Sequence, residues 1–94
     1  MQELEITVWE ADVAVLHPLL VNLKEALRNL NMKASIQINS EPPHLARHGI
    51  LGKTPVIEIN ASMWSLRQNH IITVEQFINL LRMYCKLPHN SVPN

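Results

Sequence analysis

A single cysteine, Cys85, in 94 residues excludes an intrachain disulfide and any cysteine-rich metal centre. Only two glycines are present, Gly49 and Gly52, so backbone punctuation is concentrated in one stretch. Neither sign of charge is in excess, with Lys plus Arg 8 and Asp plus Glu 8. No basic stripe stands out, and this argues against nucleic acid, whose phosphates draw on clustered positive charge. Zero net charge also offers little electrostatic protection against self-association. No apolar run approaches the roughly 20 residues that a membrane span requires. The stretch Met1-Gln2-Glu3-Leu4-Glu5 is acidic and leads straight into a strand pattern, unlike a secretory leader, so a cytoplasmic protein is expected. The chain is 47% hydrophobic, without repeats or low-complexity tracts, and this composition suits one globular domain over 1–94. Residues 88–94, rich in turn formers, read as a tail.

Leu4, Ile6 and Val8 alternate with Glu5 and Thr7, and Trp9 follows: the period of two predicts a first strand. From Leu16 the period changes. Leu16, Leu19, Leu20, Leu23, Leu27 and Leu30 recur at helical spacing, with Asp12 a possible cap and Pro18 an interruption. A distorted first turn near Val13 and a regular helix from Pro18 are expected. Met32 to Asn39 alternates again and predicts a second strand. Two prolines open a short helical piece, His44 to His48, which Gly49 stops. A proline cannot donate to a ladder and pushes its predecessor towards extended geometry, so Thr54-Pro55 marks a strand entrance at which a cis peptide is expected. Val56–Ile59 and Met63–Leu66 form a hairpin. Thr73 and Gln76 have capping-box spacing ahead of a last amphipathic helix through Val74, Phe77, Ile78, Leu81, Tyr84 and Cys85. The order is β-α-β-α-β-β-α, with the first three strands expected to be parallel and the fourth to be an antiparallel edge.

That order, together with Gly49-Ile50-Leu51-Gly52-Lys53-Thr54-Pro55 before the hairpin, resembles the minimal thioredoxin fold. More narrowly it resembles the small, glutaredoxin-sized redox-active disulfide proteins. The resemblance implies an α/β fold with a four-stranded mixed sheet and a cis-proline at Pro55. It also implies a Cys-x-x-Cys where the first strand meets the first helix. Val13-Ala14-Val15-Leu16 stands there instead. Dithiol exchange needs a thiolate nucleophile and a resolving thiol, and Val13 and Leu16 supply neither. No catalysis and no cofactor are expected. What remains is a vestigial active-site patch of Val13, Leu16, Thr54 and Pro55, apolar rather than reactive. In it the backbone of Thr54 would be free to pair with an extended peptide.

Four other features could carry function. Cys85 lies on the apolar stripe of the last helix, so core packing is expected of it; a redox role through Cys85 or a partner's thiol is the alternative. His44 and His48 are spaced i, i+4 as metal ligands on a helix would be, with His17 a distant third candidate, although surface histidines of no special role show the same spacing. Trp9 and Trp64 are large aromatics of the kind that anchor interfaces, and each could equally be core. Finally, Glu5, Thr7, Ser35 and Gln37 point to one side of the sheet, whose second face is therefore thinly covered. With free edges at the second and fourth strands, the expected partner is an unidentified protein or a second copy of the chain as a homodimer.

Overall fold

Strand β1 (Leu4–Trp9) buries Ile6 and Val8 on one face and turns Glu5 and Thr7 to the other, as its alternation requires. The computed structural model describes residues 4–65 and 70–86. The expected tail, the end of the fourth strand at Leu66 and most of the loop after it lie outside the described residues.

Helix α1 (Val13–Asn29) is continuous from Val13. The regular start expected at Pro18 is therefore corrected. Asp12 is extended at the cap, its carboxylate accepts from the Ala14 N–H at 2.9 Å, and its carbonyl accepts from Val15 and Leu16. A proline inside a helix costs about 3 kcal/mol. The same turn buries Val15 and Leu16, each contributing about 1.5–3 kcal/mol, and this offsets the proline. The helix ends on Asn31 at φ 56, with the Met32 N–H donating to Leu27 and the Asn31 N–H to Arg28, a Schellman arrangement.

Strand β2 (Ala34–Asn39) runs into α2 (Pro42–Arg47), whose only buried side chain is Leu45. Gly49, at φ 71, stops it, and a 3-10 turn over Leu51–Lys53 leads to the Thr54-Pro55 peptide, which is cis. Strands β3 (Val56–Ile59) and β4 (Ser62–Ser65) form a hairpin. Helix α3 (Val74–Lys86) begins with a reciprocated capping box: the Thr73 N–H donates to Gln76 Oε1 and the Gln76 N–H to Thr73 Oγ1.

The sheet order is β2-β1-β3-β4. Strand β2 is parallel to β1, but β3 is antiparallel to β1, with Trp9 opposite Val56. The expectation of three parallel strands is corrected, and the reason is length. Six helical residues advance about 9 Å, whereas a six-residue strand spans about 20 Å. The short α2 cannot carry the chain back along the sheet, so β3 starts at the end where β1 and β2 finish. The result is an α/β fold with a four-stranded mixed sheet and three α-helices, a minimal thioredoxin-like arrangement.

Helices α1 and α3 pack against each other and against one face of the sheet. Their core gathers Ile6, Val8, Leu19, Leu23, Ile57, Ile59, Phe77 and Leu81. A smaller cluster of Trp9, Leu45, Ile50 and Val56 sits on the other face under α2. Among the described residues no helix is long and apolar enough to cross a membrane.

The β3–β4 turn holds Asn60 at φ 47 and Ala61 at φ 81, the paired positive angles of a type I′ turn. Asn60 suits its place: its Oδ1 accepts from the Glu5 N–H at 2.9 Å and its Nδ2 donates to the Tyr84 hydroxyl at 3.0 Å. Ala61 does not, because a Cβ in the left-handed region costs about 1–2 kcal/mol. Ala61→Gly is expected to raise the urea midpoint. The net gain is about 0.5–1 kcal/mol once the greater freedom of unfolded glycine is subtracted. A lowered midpoint would contradict this account of the turn.

Candidate functional site

Two regions of the fold were marked by the sequence: the end where β1 meets α1, and the face of the sheet left open by the short α2. At the first, Val13 is the opening residue of α1 and is 70% exposed. Leu16, one turn on, is buried in the main core. Thr54 is only 5% exposed and Pro55 is fully buried. The loop is tied down from β4, where the Ser65 hydroxyl donates to the Lys53 carbonyl at 2.9 Å. Of the four residues expected to form an apolar patch, only Val13 faces solvent. The patch is therefore better described as a packed junction in which Leu16, Thr54 and Pro55 are buried.

Trp9 is likewise corrected from a possible interface residue to a core one, at 6% exposure. Parity places it on the open face, and there Leu45 of α2 and Ile50 beyond it cover it. Its Nε1–H donates to Glu58 Oε1 at 3.1 Å, and its ring lies 4.8 Å from that of His48, tilted by 54°. His48 in turn donates from Nδ1 to the His44 carbonyl at 2.9 Å. His44 Nε2 stands 3.8 Å from the Glu41 carboxylate. These two histidines thus brace α2, and His17 is exposed on α1. Among the described residues no three His, Cys, Asp or Glu side chains are grouped to hold a metal ion.

Trp64 is half-buried on the helix-covered side, opposite Ile57. With Gln76, Asn79, Leu80 and Met83 it lines a shallow groove of about 240 Å³. Its Nε1 is buried with no hydrogen-bond partner among the described residues.

Cys85 is exposed, which corrects its expected place in the core. The buried stripe of α3 is Phe77, Leu80, Leu81 and Tyr84, and one residue beyond Tyr84 turns the helix by about 100° away from it. The thiol lines a groove of about 340 Å³ with Leu30, Met32, Leu81 and Arg82.

Glu10 carries a signal that no sequence pattern offered. It follows β1 directly and is 2% exposed. Its Oε2 accepts from the Asp12 N–H at 3.0 Å, while Oε1 has no partner among the described residues. The carboxylate therefore braces the turn into α1. A polar residue after the last alternating position gives no periodicity from which burial could be read.

On the open face, Glu5 and Thr7 share one hollow of about 110 Å³ with Ser35 and Gln37, and another of about 410 Å³ with Glu58, Asn60 and Ala61. Because α2 covers only the end at Trp9, the rest of this face is polar and uncovered by any described helix. At the sheet margins lie β2 and β4, each with one unpaired side among the described residues.

No family model matches the chain, and no curated protein matches it. Among solved structures it is similar to the N-terminal domain of Synechococcus elongatus SasA, determined in solution. The TM-score is 0.53 at 16% identity, with 99% of this chain and 91% of that one covered. At this identity the likeness concerns the fold alone, and it places the chain among thioredoxin-like folds.

Proposed function

We propose that the chain is a non-catalytic thioredoxin-fold protein, a cytoplasmic module that acts by binding a protein partner or a second copy of itself. The observation that carries this reading is the junction of β1 and α1. An exposed valine and a buried leucine stand where thiol chemistry in such a fold needs two sulfurs. The neighbouring Thr54 and Pro55 are packed rather than open to substrate. A sheet face that is polar and uncovered, and two edges that are unpaired, among the described residues support association as the mode of action.

Reduction of insulin disulfides in the presence of dithiothreitol tests the reading. The rate with the protein is expected to equal that with dithiothreitol alone. A faster rate that survives Cys85→Ser would mean catalysis by another group and would sink the proposal. The exposure of Cys85 supports a second reading, a redox role through that one thiol. Activity abolished by Cys85→Ser would establish it in place of the first.

A further inference from the structure

Strand β2 is an edge of six residues, Ala34-Ser35-Ile36-Gln37-Ile38-Asn39, without a charge or a proline. Edge strands in soluble proteins usually carry such guards, because a bare edge is a template for another strand. Ile38 is 49% exposed on the side of the sheet where its neighbours join the core. The Leu4 N–H donates to the Lys33 carbonyl and the Glu10 N–H to the Asn39 carbonyl. Odd-numbered residues of β2 thus direct their backbone groups to β1, and Ala34, Ile36 and Ile38 direct theirs outward.

We propose that β2 pairs with β2 of a second copy, antiparallel about a two-fold axis at Gln37, so that two four-stranded sheets become one of eight. This rests on the self-association reading above and names its surface and register. Directly opposed residues in an antiparallel ladder share a face, so the sum of their numbers must be even for the two cores to stay on one side. With Gln37 opposite its own copy, Ile36 faces the partner's Ile38 and Ile38 the partner's Ile36. These residues hold the outward backbone groups, so each such pair exchanges two hydrogen bonds. Ser35 meets the partner's Asn39 on the polar face. Beyond the strand, Lys33 comes opposite the partner's Glu41, and the reverse contact repeats it. The neighbouring registers that keep the faces aligned, centred on Ser35, Ile36 or Ile38, bring Lys33 to the partner's Gln37, the partner's Asn39 or the partner's Pro43, none of them charged. Charge complementarity at both ends therefore selects the Gln37 register. The interface is isologous and closes at two copies.

The test uses the full chain with Cys85→Ser, so that no native thiol confuses the result. Sedimentation velocity over a concentration series is expected to show a reversible monomer–dimer equilibrium. Ile38→Lys places a charge on the exposed edge and is expected to give a monomer with an unchanged circular dichroism spectrum. Lys33→Glu is expected to weaken the dimer about tenfold or more, and adding Glu41→Lys to restore it. Gln37→Cys is expected to cross-link on mild oxidation, since non-hydrogen-bonded pairs place Cα atoms about 4.5 Å apart. Ser35→Cys, far from its own copy in this register, is expected not to. A monomer at all concentrations, a dimer indifferent to Ile38→Lys, or cross-linking through Ser35→Cys instead of Gln37→Cys would each overturn the proposal. None of these outcomes bears on the insulin assay, which judges the non-catalytic reading separately.

Discussion

Trp9→Ala is expected to lower the stability of the chain by about 3–5 kcal/mol, the usual cost of deleting a large buried aromatic. The indole fills the small cluster with Leu45, Ile50 and Val56, and its ring meets His48. Without it, α2 keeps only one buried side chain to hold it to the sheet. Trp9→Phe separates the contributions. It retains most of the apolar area but loses the bond to Glu58, worth about 0.5–1.5 kcal/mol, or up to about 3 kcal/mol for a carboxylate acceptor. Urea unfolding followed by circular dichroism and by the remaining Trp64 fluorescence gives both numbers. A loss below 1 kcal/mol for Trp9→Ala would mean that the cluster under α2 contributes little to folding.

Restoring two sulfurs at the β1–α1 junction is expected to produce the other large effect. In a Cys85→Ser background, Val13→Cys with Leu16→Cys places two thiols three residues apart at the start of α1, on adjoining positions of one helical face. The first would be exposed, and a helix N-terminus favours the thiolate form. An intrachain disulfide should form on oxidation, visible as a loss of free thiol without dimerisation. Insulin reduction should rise above the dithiothreitol background, where the parent shows none. Removing the buried leucine is expected to cost about 2 kcal/mol or more, so the variant should also melt earlier. A folded variant that forms no intrachain disulfide would show that this junction is not the counterpart of a dithiol site.

Most of the fold was legible in the residues because local signals and burial agree. The alternation of β1, the leucine spacing of α1 and the reciprocated pair of Thr73 and Gln76 all state in sequence what the structure contains. The direction of β3 was not legible. It depends on how far the chain can travel between Asn39 and Val56, and a short helix between two prolines and a glycine does not announce its reach. Helical spacing put Cys85 on the apolar stripe, but the stripe is narrow, and one residue of rotation decides between core and solvent. Trp9 was left between core and interface, because the cover supplied by Leu45 and Ile50 comes from a segment far along the chain. Glu10 and Thr54 are buried for tertiary reasons as well, so the packed character of the β1–α1 end had no counterpart in any motif.

The two apolar clusters divide the molecule into parts of unequal endurance. Fifteen described residues make the one between the sheet and the long helices, and four make the one beneath α2. Segments that bury little open first, at a free energy well below that of global unfolding. Lifting α2 would uncover Trp9 and Val56 and leave the larger cluster sealed. The polar hollow beside Thr7 would then continue into an apolar floor. Leu45 and the indole of Trp9, buried in the same small cluster, are what oppose such a lengthening of the exposed face.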